Sequence, residues 1–291
     1  MFMEKAELVE ETVVRLMRTA VTTLPEDVLA GLQKALQLET EEVAKVQLRT
    51  IIENVKLAES GDIPMCQDTG VPIFFVYGDC SSEVEEGIMN GVARATKEIP
   101  LRPNVVDPIT RHNTGTNIGA GMPNIHYGPA KGDFVEIIFM PKGAGSENMS
   151  ALRMLNPTKG VKGIKEAVID AVVSAGGKPC PPSIVGIGIG GTADSVMVLA
   201  KKAILRPLGQ SNPDPDVAKL ERELTETLNS TGIGPMGLGG RTTTLGVMIE
   251  KGDCHTASLP VAVNIQCWAA RRASARIYPD GKVRFRTEGF Q

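Results

Sequence analysis

Asp133-Phe134-Val135-Glu136-Ile137-Ile138-Phe139-Met140 is the best strand candidate in the chain, and Lys142-Gly143-Ala144-Gly145-Ser146-Glu147-Asn148 follows it almost directly. β-Branched and aromatic residues fill the first stretch, with no Gly or Pro to interrupt a pleated ladder. The glycines then break the run and open a helix, whose backbone N–H groups could hold a carboxylate or phosphate. No Gly-Lys-Ser/Thr occurs and Lys142 precedes the glycines, so a P-loop is excluded.

The same grammar extends outward in both directions. Pro72 to Tyr77 reads as a buried strand and Ser82 to Lys97 as a helix. Downstream, helices are expected over 163–175, 195–205 and 216–228. Strands are expected over 183–189, 244–250, 258–265, 275–278 and 283–286. The first sixty residues differ. Val9, Val13, Leu16, Met17 and Ala20 recur at helical spacing, and Thr23-Leu24-Pro25-Glu26 is a capping-box entry to a second helix reaching about residue 37. A third runs from near Glu41 to Ala58 and stops at Ser60-Gly61. The expected fold is α/β of the mixed-sheet α+β kind: a helical N-terminal segment, 1–60, within one domain spanning 1–291, the rest a mixed-sheet α/β domain.

Composition narrows the function. The 291 residues are 42% apolar and 22% charged, with net charge −3 and a pI near 5.8. Basic residues are spread out and aromatics make up only 4%, so neither a basic nucleic-acid face nor a base-stacking platform is expected. No apolar run approaches the roughly 18 residues of a membrane span. The start, Met1-Phe2-Met3-Glu4-Lys5-Ala6-Glu7, resembles neither a secretory signal nor a transit peptide. Five cysteines without framework spacing favour a reducing, cytoplasmic setting.

Three of those cysteines stand among Gly, Pro and small polar residues, at breaks between elements: Cys66 in Pro64-Met65-Cys66-Gln67-Asp68-Thr69-Gly70, Cys180 in Pro179-Cys180-Pro181-Pro182, and Cys267 in Gln266-Cys267-Trp268. Three isolated thiolates are too few for a closed four-ligand site, but suit an iron–sulfur cube with one iron left open to a substrate oxygen. Each has a plainer reading. Asp68 serves as well as a turn residue bonding backbone amides as it does a proton-handling group beside a ligand. Cys180 fits an ordinary helix-to-strand connection, and His255 either a proton shuttle or a structural histidine. Cys80 reads as structural, and Cys254 beside His255 lacks the second pair a zinc site needs.

Arg102 and Asn113-Thr114-Gly115-Thr116-Asn117 add donors suited to an anion. Gly186-Ile187-Gly188-Ile189-Gly190-Gly191 satisfies G-x-G-x-x-G between an expected strand and an expected helix, which offers nucleotide binding as a distant alternative. No acid stands about 20 residues further on to take a ribose, which counts against it.

In order, Cys66-Gln67-Asp68-Thr69-Gly70, Leu101-Arg102, Asn113 to Asn117, Lys142-Gly143-Ala144-Gly145-Ser146, Cys180-Pro181-Pro182 and His255 followed by Cys267 resemble the α-type catalytic domain of the class I, iron–sulfur fumarate hydratase and L-tartrate dehydratase family. The resemblance covers nearly the whole chain. It implies a [4Fe-4S] cluster on Cys66, Cys180 and Cys267, its open iron acting as Lewis acid. It implies substrate contacts from Gln67, Asp68, Arg102, Gly143, Ala144, Gly145 and His255. Asp68 and His255 are the local catalytic candidates, for the proton at oxygen. Long single-chain members carry a second, β-type domain that nothing here matches. A separate β subunit supplying the base at carbon, and an α/β hetero-oligomer, are therefore expected. The implied reaction is reversible hydration of fumarate to L-malate; the alternative is dehydration of L-tartrate to oxaloacetate. Asn113 to Asn117 and Ser146-Glu147-Asn148 look more like the fumarase branch.

Overall fold

Residues 4–287 are described in the computed structural model. Met1–Met3, where the N-terminal stretch read for targeting begins, and residues 288–291 lie outside them. Three helices lead: α1 (Lys5–Thr22), α2 (Glu26–Leu38) and α3 (Glu42–Gly61). Next come β1 (Val71–Tyr77), α4 (Ser82–Glu98), β2 (Asn124–Gly128) and β3 (Val135–Lys142). A single turn, α5 (Ala144–Glu147), leads to β4 (Ala151–Leu155), α6 (Gly160–Ala175), β5 (Ser183–Gly191), α7 (Ala193–Ile204) and α8 (Pro215–Asn229). The chain closes with β6 (Thr244–Cys254), β7 (Leu259–Gln266), β8 (Ala273–Ile277) and β9 (Val283–Arg286). The expected helices and strands are all present. The helix expected to open at the glycines after Lys142 is the single turn of α5, while β2 and β4 are additions, being short and largely half-buried or exposed, with little apolar signal to read.

The chain divides into two compact units, one built from residues up to Glu26, from Asn54–Gly143 and from Arg271 onward, the other from Asp27–Glu53 and Ala144–Ala270. The first holds a mixed five-stranded sheet, ordered β2-β1-β3-β8-β9, in which only β1 and β2 run parallel. Phe74 and Phe139 are register partners on β1 and β3, with ring centroids 5.0 Å apart. They join Val76, Ile137 and Ala275 in a core closed by α1 and α4. The helical spacing of α1 delivers what it promised: Val9, Val13, Leu16, Met17 and Ala20 are all buried. Gly87 and Gly91 on α4 let the two helices touch closely, since a Cβ at either would lie 2.6 Å from Val9 or Val13.

The second unit holds a four-stranded mixed sheet, ordered β4-β7-β5-β6, with β5 and β6 parallel. Alternation along β7 sets its two faces. Val261, Val263 and Ile265 pack in one cluster with residues of α6 and α8, and Ala262 packs with Val196 and Ala200 of α7. Helices therefore cover both faces, as an α/β sheet requires.

Here the dinucleotide alternative fails. All six residues from Gly186 to Gly191 lie inside β5 rather than in a strand-to-helix loop. A Cβ at Gly186 would stand 2.2 Å from the Ala200 carbonyl oxygen, and one at Gly188 would stand 2.1 Å from that of Val196. These glycines admit the backbone of α7, not a phosphate. Among the described residues, no helix is long and apolar enough to cross a membrane.

Candidate active site

In the first unit the motif residues form one hydrogen-bonded framework. The segment from Asp62 to Gly70, which carries Cys66, links α3 to β1. Its residue Met65 is anchored at both backbone atoms: its N–H donates to the Val21 carbonyl (3.0 Å) and its carbonyl accepts from Asn54 Nδ2 (2.8 Å). Cys66 follows that anchor, half-buried, and Gln67 is exposed. Asp68 Oδ1 accepts the Gly70 N–H at 2.9 Å and lies 3.4 Å from Asn104 Nδ2. The turn-residue reading of Asp68 thus holds for one oxygen. The other, Oδ2, lies 3.1 Å from where a Cβ on Gly143 would stand.

Thr69 Oγ1 accepts the Arg102 N–H at 3.0 Å, tying the cysteine loop to the arginine segment. Asn117 is the hub behind it, 2% exposed and at φ +60°. Its Oδ1 accepts from the backbone N–H groups of Asn104 (2.7 Å) and Val105 (3.3 Å), while its Nδ2 donates to the Arg102 carbonyl (3.0 Å) and Thr96 Oγ1 (3.2 Å). Asn113 Nδ2 donates to the Pro103 carbonyl at 2.6 Å. This corrects the expectation that Asn113 to Asn117 supplies donors to an anion. Its side-chain amides are spent holding residues 102–105, and they leave the Arg102 side chain exposed.

In the second unit Cys180 and Cys267 are brought together through the backbone. The Trp268 N–H donates to the Cys180 carbonyl at 3.1 Å. Cys180 sits in the left-handed region, at φ +53°, where a non-glycine residue is held only by its surroundings. Here those are the Cys180 N–H bond to Gly177 (3.0 Å) and the Met236 N–H bond to the Pro181 carbonyl (2.7 Å). Gly145 and Ala144 are exposed on the turn of α5. His255 is exposed between β6 and β7, with Nδ1 accepting the Ala257 N–H at 3.1 Å, so only its other ring nitrogen is available for chemistry.

None of the five cysteines is in a disulfide. Cys66, Cys180 and Cys267 are half-buried, whereas Cys80 and Cys254 are exposed, with thiols bonded to the nearby carbonyls of Gly78 and Ser258. Loop-borne, half-buried thiols fit the soft-ligand chemistry of an iron–sulfur group. Among the described residues, no group of three or more His, Cys, Asp or Glu side chains is gathered as a metal site.

Two residues escaped the sequence reading. Asn104 braces Asp68 and accompanies Arg102 by only two positions. Arg271 is 2% exposed, yet its Nε and Nη1 have no hydrogen-bond partner. The available signal was Arg271-Arg272, two adjacent cations directly before an apolar strand.

The sequence model of the fumarate hydratase (Fumerase) family matches residues 10–276. A protein of Methanocaldococcus jannaschii, provisionally named L(+)-tartrate dehydratase subunit alpha, is 53% identical over 283 residues, covering 94% of this chain and 99% of its own length. The L(+)-tartrate dehydratase subunit alpha of Escherichia coli K12 is 35% identical over 264 residues, covering 89% of this chain and 87% of its own. A protein of Geobacillus stearothermophilus, provisionally named class I fumarate hydratase, is 35% identical over 286 residues; these are 94% of this chain but 56% of that protein. The mixed-sheet α/β architecture is thus that of a hydro-lyase chain. It belongs to the fumarate hydratase family, together with proteins named as tartrate dehydratase α subunits.

Proposed function

We propose that this chain is the α subunit of a hydro-lyase that reversibly adds water across fumarate to give L-malate, with a separate β-type subunit completing the site. The observation that carries this reading is the family match over 10–276, which includes all three half-buried loop cysteines. Relatives named as α subunits support the partner. Cys66, Cys180 and Cys267 would hold a [4Fe-4S] cluster; when bound, it supplies a Lewis-acidic iron to polarise a substrate oxygen.

The chain's own residues then bind and orient. Asp68, fixed through Oδ1 by the Gly70 N–H, presents Oδ2 over Gly143, where it can accept the proton of the substrate hydroxyl. Arg102 offers an exposed guanidinium to a carboxylate, on a segment made rigid by Asn117 and Thr69. Gln67, next to Asp68 in the chain and exposed, is an amide donor. Gly143, Ala144 and Gly145 are small residues that let a carboxylate approach the backbone. His255 is the second candidate at the hydroxyl. The carbon-bound proton is left to a base from the β subunit.

A second reading, L(+)-tartrate dehydration to oxaloacetate, is favoured by the names of the 53% and 35% identical relatives. Anaerobic purification with the β-type partner, followed by parallel assays with fumarate, L-malate and L(+)-tartrate, separates them. A kcat/KM for fumarate at least about tenfold above that for tartrate, a difference of about 1.4 kcal/mol in transition-state binding, supports the first reading. The reverse ratio supports the second, and no hydration or dehydration by a cluster-loaded complex overturns both.

A further inference from the structure

Resting on the hydro-lyase function proposed above, we infer that Arg271 is a second substrate-binding arginine of this chain, which takes one carboxylate of the dicarboxylate beside Asp68 and Gly143. Three observations in the first unit converge on it. The Arg271 side chain is 2% exposed, and Nε and Nη1 lack any partner. A buried guanidinium left uncompensated is costly, and its natural complement is a carboxylate. Among the described residues, it makes no hydrogen bond or ion pair.

Second, the point where a Cβ on Gly143 would stand is 3.1 Å from Asp68 Oδ2 and 3.9 Å from Arg271 Nη2. A carboxylate and a guanidinium therefore both lie close to the backbone of Gly143, the carboxylate nearer. Third, the register explains the meeting. Phe139 of β3 pairs with Ala273 of β8, so two residues further on Arg271 comes level with Pro141, just before Lys142 and Gly143.

The pairing of charges suits an α-hydroxy acid. Its carboxylate complements Arg271, while the hydroxyl on the next carbon donates to Asp68. Fumarate and malate each carry two carboxylates, and Arg102 is the one arginine of this chain itself that the sequence reading placed at the site. Arg102 is exposed and can guide the outer carboxylate; Arg271 is buried and can hold the inner one against the reacting centre.

The test uses the complex of this chain with its β-type partner and reconstituted cluster. Wild type, Arg271→Lys, Arg271→Gln and Gly143→Ala are compared by steady-state kinetics, with visible absorption recorded on each. For Arg271→Gln the KM for L-malate rises about 10- to 100-fold, the scale of one lost charge-assisted contact, while absorption is unchanged. Arg271→Lys recovers part of the loss, which a packing role would not allow. Gly143→Ala raises KM with Arg271 intact, because the new methyl stands 3.1 Å from Asp68 Oδ2 and crowds the carboxylate beside Arg271. A folded, cluster-loaded Arg271→Gln complex with KM within twofold of wild type overturns the inference. Should that variant fail to fold, an unchanged KM in Gly143→Ala overturns it instead. If the wild-type complex hydrates nothing, the functional reading has failed separately. Titration calorimetry of wild type and Arg271→Gln with L-malate then decides the arginine: weaker binding by the variant supports it, and equal or absent binding overturns it.

Discussion

Gly188 and Gly143 both follow apolar strand sequence, yet they leave room for different things. Over Gly188 the missing side chain's place is taken by the backbone of α7, 2.1 Å from where a Cβ would be. Over Gly143 the neighbours are the polar tips of Asp68 and Arg271, at 3.1 and 3.9 Å. A glycine filled by backbone serves packing. A glycine facing ionic side chains lets a carboxylate and a guanidinium lie close to the backbone. Two arginines repeat the contrast. Arg206 in the second unit is paired with Glu221, whose oxygens also accept the Ile249 and Asn212 N–H groups, whereas Arg271 in the first unit has no ion-pair partner among the described residues.

The largest effect expected from this contrast is on Arg206. Arg206→Met leaves the buried Glu221 carboxylate uncompensated and costs about 3–5 kcal/mol in chemical denaturation. A loss below 1 kcal/mol would remove the distinction between the two arginines. Gly188→Ala comes next, at about 3 kcal/mol, because the new methyl must displace the Val196 carbonyl. An unchanged melting temperature would show that α7 yields freely.

Glu39 sharpens the comparison, since its Oε2 lies 2.8 Å from where a Cβ on Gly240 would stand. This carboxylate is devoted to backbone N–H groups, those of Thr40, Glu41 and Arg241. Burial works to raise its pKa, but those three bonds prevail and hold it below the ordinary value. The stabilisation is therefore present above the unfolded-state pKa and lost as pH falls through the folded one. Glu39→Gln should cost about 1–2 kcal/mol at pH 7, and the gap to wild type should close below about pH 4. A gap constant with pH would contradict the charge argument. The smallest effect belongs to Arg271→Met. Removing an uncompensated buried charge should leave thermal stability within about 1 kcal/mol of wild type, or raise it, in contrast to Arg206→Met.

Period and punctuation made most elements legible. Val9 to Ala20 announced α1, and the run from Val135 to Met140 announced the central strand of the first sheet. The short strands β2 and β4 were not legible, because half-buried segments of five residues carry little alternation to detect. Local motifs marked Cys66 with Asp68, and Cys180. They misassigned Asn113 to Asn117, whose amides turn inward, and the glycines of β5, whose role depends on a helix that only the folded chain places there. Arg271 was invisible for the converse reason. Its meaning comes from a register between β3 and β8, more than a hundred residues apart in sequence.

The most direct test of the cluster assignment is anaerobic reconstitution with iron and sulfide, reading iron content and visible absorption for wild type and for Cys66→Ala, Cys180→Ala, Cys267→Ala and Cys80→Ala. Wild type and Cys80→Ala should take up about four iron atoms per chain with broad absorption near 400 nm, as a [4Fe-4S] centre requires. Each of the other three should lose most of both. A Cys66→Ala protein with the full iron content and spectrum would contradict the account.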